Sequence, residues 1–190
     1  MTKDIWVYVE AIKERIIKLP EGKRIITIDG RCAAGKTTLA EVLAKEIHAD
    51  IVHMDDFFLP QGLRTPKRLG QPGGNVHYER FQEEVLYPLQ EGSAFTYRRF
   101  DCHRMEFSEE RYIKAEGFTI IEGAYSAHPV FGKYMGLCVF ADVERSLQEE
   151  RIRKRNGEEK LQVFLNKWIP MEEMYFLQYQ VKENADLVLQ

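Results

Sequence analysis

Hydrophobic residues along the chain fall into two kinds of stretch, short unbroken runs and longer segments with helical spacing. Ile5, Val9, Ile12 and Ile16 recur at helical spacing behind Asp4, a candidate N-cap, and Pro20 with Gly22 ends the run, which predicts an amphipathic helix over residues 5–17. Arg24 to Asp29 is a short β-branched run, and Thr37 to Ile47 then places Leu39, Val42, Leu43 and Ile47 on one helical face. Further strand-like runs lie at Ile51–Met54, Phe118–Ile121, Leu137–Phe140 and Asp186–Leu189. Helical patterns occupy the segment from Tyr78, where Pro88 is expected to kink or shorten the end, then Val143–Arg155, then Glu159–Tyr179, which Pro170 is expected to interrupt. Strands that are apolar throughout are buried on both faces. The pattern therefore predicts an α/β fold whose parallel sheet is covered by helices on both sides. Residues 59–75, LPQGLRTPKRLGQPGGN, carry many turn formers and few core candidates, and predict a long functional loop.

Composition narrows the class. The 190 residues, 44% hydrophobic and 30% charged, contain no repeat or low-complexity tract and are expected to form one domain over residues 1–190. With 27 Lys plus Arg against 30 Asp plus Glu the formal charge is -3, which argues against a nucleic-acid-coating surface and makes any anion site local. Cys32, Cys102 and Cys138 form no C-x-x-C pair, so neither a disulfide framework nor a zinc site is indicated. MTKDIWVYV has no signal-like apolar core, and no apolar run reaches membrane-spanning length, so a soluble, cytoplasmic protein is expected, with self-association left open.

The strongest motif is Gly30-Arg31-Cys32-Ala33-Ala34-Gly35-Lys36-Thr37, a G-x-x-x-x-G-K-[ST] sequence placed after the RIITID strand and before the TTLAEVLAKEI helix. Backbone N–H groups from Gly30 to Thr38, aimed inward at a helix N-terminus, can solvate a triphosphate. Lys36 can reach between its β- and γ-phosphates, and the Thr37 hydroxyl can coordinate Mg²⁺. ATP and Mg²⁺ are the expected cofactors.

Asp55 and Asp56 end the second strand and Glu122 ends the third, which in a parallel sheet puts all three on the carboxyl edge beside this loop. One such carboxylate can orient or deprotonate an acceptor hydroxyl, and Asp56 or Glu122 can serve magnesium. Turn formation is the alternative for the paired aspartates. Tyr97-Arg98-Arg99-Phe100-Asp101-Cys102-His103-Arg104 suits a polar acceptor, and equally a hairpin with a solvated face. Arg151, Arg153, Lys154 and Arg155 have the composition of a cationic lid over residues 150–160, or of charges offsetting a helix C-terminus before Gly157. His53, His77 and His128 share no metal-ligand spacing.

Taken with HMDDFFLP at 53–60, NVHYERFQEEVLYPL at 75–89, IIEGAYS at 120–126, ERIRKRNG at 150–157 and the WIPMEEMYF tail, the chain resembles the uridine kinase-like family of P-loop kinases. The resemblance implies a five-stranded sheet in order 2-3-1-4-5 and transfer of a γ-phosphoryl group to a hydroxyl of a small molecule, a nucleoside or another sugar-bearing metabolite. It also implies roles. Asp55 would activate the acceptor, and Lys36, Arg151 and Arg155 would stabilise the transferring group. Phe58, His77, Tyr97, Arg99, Asp101, His103 and Glu122 would contact the acceptor. His77 stands where such kinases often carry an acidic residue. Two rivals remain at this level: a nucleoside-monophosphate kinase, for which Arg64, Arg68, Arg98 and Arg99 would recognise the anionic acceptor, and a nucleotide-operated switch, although Asn166-Lys167-Trp168-Ile169 lacks the aspartate of N-K-x-D.

Overall fold

The computed structural model describes residues 2–22, 24–102 and 104–190, with side chains from Ile5 onward. Helix α1 (Thr2–Ile16) leads into β1 (Ile25–Gly30), α2 (Lys36–Ile47) and β2 (Asp50–His53). The chain then turns through a short α3 (Pro66–Leu69), α4 (Tyr78–Phe81) and α5 (Tyr87–Glu91) into a hairpin of β3 (Phe95–Asp101) and β4 (Glu106–Ile113). It closes with β5 (Thr119–Glu122), β6 (Leu137–Ala141), α6 (Arg145–Asn156), α7 (Glu158–Val163), α8 (Ile169–Tyr179) and β7 (Leu187–Leu189).

The main sheet runs β2-β5-β1-β6-β7 and every pair is parallel. Counting only its own strands, this is the expected order 2-3-1-4-5. Successive residues of each strand feed opposite cores, as the pleat requires: Ile120 and Val139 pack with Val9, Ile12, Leu39 and Leu43 on one face, while Ile121 and Phe140 pack with Phe81, Val85, Tyr175 and Phe176 on the other. A third, smaller cluster joins Ile152, Leu161 and Ile169 to Cys32 and Ala33, and so seats the last helices over the glycine-bounded loop.

Two departures from the sequence reading have physical causes. The 59–75 segment is not an open loop: a 3-10 turn at Gln61–Leu63 and α3 fold it onto the body, and Arg68 ties it down through Glu79 and the carbonyls of Gly74 and Val76. Neither Pro88 nor Pro170 breaks its helix. Each follows a π turn, Gln82–Leu86 and Phe164–Trp168, in which the ladder slips to i→i−5 bonds, Tyr87 N–H to Gln82 and Ile169 N–H to Phe164, so the missing proline N–H is absorbed rather than left as a gap. The helix after Gly157 accordingly continues to Tyr179. The hairpin alternative for the 97–104 segment is the one found: Tyr97–Asp101 lie in β3, paired with a mostly solvated β4.

Candidate active site

The loop after β1 takes its shape from residues with little freedom to vary. Gly30 sits at φ 127°, and a Cβ there would fall 2.1 Å from the Ala141 carbonyl oxygen of the adjacent strand, so only glycine fits. The fully buried Asp29 carboxylate holds the neighbourhood together, accepting from the N–H groups of Gly30 (2.6 Å), Ala127 (2.8 Å) and Tyr125 (3.2 Å) and from the Tyr175 hydroxyl (2.8 Å). Burial pushes its pKa up, and the donors Ala127, Tyr175 and Gly30, with the charge of Lys36, act against the rise. No side chain caps α2 and no acidic residue stands in its first turn, so its N-terminal N–H groups remain available to an anion. Lys36 folds back beneath the loop, its Nζ donating to Gly30 O (2.7 Å) and Arg31 O (2.8 Å).

The end of β5 places Glu122 against the start of α2. Its carboxylate accepts from Thr37 Oγ1 (3.2 Å) and lies 2.6 Å from His53 Nδ1; that contact, ahead of the opposing effect of burial, raises the His53 pKa. Gly123, at φ 130°, lets β5 turn past Met54, whose Cβ would lie 2.9 Å from an added Cβ. A 3-10 turn over Met54–Phe57 separates the two aspartates. Asp55 is exposed, but into the cavity; the surrounding protein and then the Glu122 carboxylate raise its pKa, and Lys36 opposes them.

Asp56 turns the other way and is buried. It accepts from the Tyr97 hydroxyl (3.1 Å) and pairs with Arg99 (3.4 Å) and Arg111 (3.2 Å), so it anchors the hairpin.

One cavity of about 700 Å³ collects the phosphate loop, Asp55, Phe58, Glu122, Arg151 and Arg155. Arg151 Nη1 donates to the Ala33 carbonyl (3.0 Å), and Arg155 leans over the Phe164 ring. The other sequence candidates lie elsewhere. Arg31 pairs with Asp142 (2.7 Å) and Glu173, His77 caps α4 through the Arg80 N–H, Tyr97 and Arg99 serve Asp56, and Asp101 accepts from the Arg104 N–H. None of these five lines the cavity. His103 lies outside the described residues. Arg153, counted among the lid cations, is exposed and pairs with Glu158.

The cavity also holds Arg64, named from the sequence only for an anionic acceptor, and other residues for which the sequence indicated no role there. Arg64, Asn75 and Cys102 line it, as do Lys160, Phe164, Trp168 and Glu172 from the last helices. Glu172 is buried and accepts from the Cys32 N–H (3.0 Å), while Gln148 Nε2 donates to the Cys32 carbonyl (3.0 Å), so α6 and α8 grip the phosphate loop from both of its edges. Burial pushes the Cys32 thiol up to about 12, and Glu172 adds to the shift, so this thiol is inert near neutral pH. The PMEE tail carries the signal for Glu172, but its partner is 140 residues away.

Thr37 and Glu122 are hard oxygen donors side by side, which fits magnesium. Among the described residues no three His, Cys, Asp or Glu side chains converge on a metal site, so the ion's remaining ligands would be phosphate oxygens and water. No helix among the described residues is long and apolar enough to cross a membrane.

No family model and no curated protein sequence matches the chain. Solved structures do. A candidate uridine kinase from Bacillus stearothermophilus superposes with TM-score 0.73 at 19% identity, covering 96% of this chain and 97% of its own. A fructose transport system kinase candidate from Silicibacter sp. TM1040 gives TM-score 0.73 at 20% identity, with 98% of both chains covered. The YGR205w protein gives TM-score 0.56 at 15% identity, covering 98% of this chain and 92% of its own. The chain therefore has the fold of the uridine kinase-like P-loop proteins.

Proposed function

We propose that the protein is an ATP- and Mg²⁺-dependent phosphotransferase acting on a hydroxyl of a small molecule. The observation that carries this reading is the presence in one cavity of an uncapped phosphate loop with Lys36, the Thr37–Glu122 pair, and a carboxylate, Asp55, that has no ion-pair partner among the described residues. The names of the structural neighbours point the same way.

The N–H groups of the loop and Lys36 would hold the triphosphate, and Thr37 with Glu122 would hold Mg²⁺, which neutralises charge on the β- and γ-oxygens. Asp55 orients the acceptor hydroxyl. As that oxygen bonds to the γ-phosphorus, the bond from phosphorus to the β–γ bridging oxygen breaks, the hydroxyl proton passes to Asp55, and a phosphate monoester leaves with ADP. Arg151 and Arg155, which line the same cavity, would offset the charge that accumulates on the equatorial oxygens.

A nucleoside monophosphate would need several arginines at the acceptor end, but Arg68 is bound to Glu79, Arg99 to Asp56, and Arg98 lies over Phe107, which leaves Arg64 as the one of these four that lines the cavity. A metabolite-panel phosphorylation assay tests the reading. Asp55→Asn should lower turnover of the substrate so found ~10²–10⁴-fold while nucleotide affinity stays within a few-fold, and near wild-type turnover would overturn it.

A further inference from the structure

Most arginines outside the cavity face a carboxylate of this chain, as Arg68 faces Glu79, Arg111 faces Asp56 and Arg153 faces Glu158. The cavity arginines do not. Arg151 is bonded to a phosphate-loop carbonyl and belongs to the nucleotide end, but Arg64 comes from the folded 59–75 segment. Its Nε donates to the Leu59 carbonyl (2.8 Å), which fixes the guanidinium and leaves both Nη groups without a carboxylate partner among the described residues. Its charge stands near the chemistry: the half-buried Cys102 thiol feels Arg64 and Asp55 together, and burial, the dominant influence, pushes it up to about 11.

A second observation is independent of charge. Asn75 is 3% exposed and lines the same cavity, yet its side-chain oxygen is buried with no hydrogen-bond partner, a state that costs stability unless a ligand relieves it. The two groups are built as one unit. The Leu59 N–H donates to the Asn75 carbonyl (2.9 Å) while the Leu59 carbonyl accepts from Arg64, so one buried residue sets the position of both the unpaired cation and the unpaired acceptor.

We propose that the phosphate acceptor is a small polyhydroxy carboxylic acid, its carboxylate held by Arg64, one hydroxyl donating to Asn75 and another presented to Asp55. This rests on the phosphotransfer reading above and narrows the sugar-bearing class to its acid form. A single guanidinium fork matches one carboxylate. A phosphate group in that place would bring a second negative charge into the cavity that Asp55 and Glu122 line, while Lys36 would be committed to the triphosphate. The transfer forms one ester P–O bond, breaks the β–γ bridging bond and sends the hydroxyl proton to Asp55, leaving the carboxylate unchanged.

The test is ADP release by the full chain with ATP and Mg²⁺, using aldonic acids of three to six carbons against the polyols and aldose phosphates of matching length, and uridine. The acids should exceed the matching polyols in kcat/KM by ~10–100-fold. Arg64→Gln should remove most of that preference through KM rather than kcat, Arg64→Lys should keep part of it, and Asn75→Asp should depress the acids more than the polyols. Polyols, aldose phosphates or uridine used as well as the acids, or an acid preference that survives Arg64→Gln, would overturn this inference and leave the kinase reading standing. ADP release with no member of the panel would overturn both.

Discussion

Glu122 is claimed from two sides, by the Thr37 hydroxyl and by the His53 ring, and that sharing sets its orientation before any ion arrives. Outer partners of this kind commonly matter by 10–100-fold in metal affinity or rate. His53→Ala is therefore expected to raise the Mg²⁺ concentration needed for half-maximal activity about tenfold without altering the fold, measured as a magnesium titration of turnover alongside far-UV circular dichroism. The pH profile follows from Asp55. It must be ionised to take the hydroxyl proton and its pKa is raised, so kcat/KM should fall on the acid side with a midpoint above the ordinary aspartate value of ~3.9. Lys36, Thr37, Asp55 and Glu122 were legible in the sequence because a motif and a strand end fix their direction. Asn75 was not, and Arg64 was named only as one of four arginines for an anionic acceptor, because the placement of both depends on how the 59–75 segment folds back through Leu59.

At the scale of elements, the strands of the main sheet were readable from unbroken apolar runs, since both faces of each are covered. The strand Glu106–Ile113 was not, because most of it faces water and carries almost no core signal. What holds that hairpin is the buried Asp56 and its three partners, Tyr97, Arg99 and Arg111. Tyr97→Phe removes one hydrogen bond to a buried carboxylate and should destabilise the protein by ~1–3 kcal/mol, a fall of several degrees in melting temperature, with the Mg²⁺ dependence of turnover unchanged. An altered Mg²⁺ dependence would return Asp56 to the metal site. The two π turns before Pro88 and Pro170 were likewise hidden, because a proline announces a missing donor but not how a helix will absorb it.

Across the whole molecule, the net charge of -3 is distributed by pairing. Cations expected near the phosphate site, Arg99 and Arg153, are satisfied elsewhere, which leaves Lys36, Arg64, Arg151, Arg155 and Lys160 facing the cavity. Acid stability reports on another such pairing. Burial alone would raise the Asp142 pKa, but Lys182, the Val143 N–H, Arg31 and Gln190 outweigh it and hold it at about 2. A depressed carboxylate contributes its stability above its unfolded value of ~3.9 and loses it as pH falls toward 2. Asp142→Asn should therefore flatten the loss of stability between about pH 4 and pH 2, read from denaturation midpoints across that window.

The grip of Glu172 on the Cys32 N–H also has a temporal consequence. The contact joins residues 140 apart in sequence, farther than the pairings of β1 with β5 and β6, so it is expected to close after the sheet has registered. Competence to bind nucleotide should thus emerge as a late kinetic phase of refolding, trailing the far-UV signal when a fluorescent nucleotide is present in a stopped-flow experiment. Glu172→Ala should slow or weaken that phase alone.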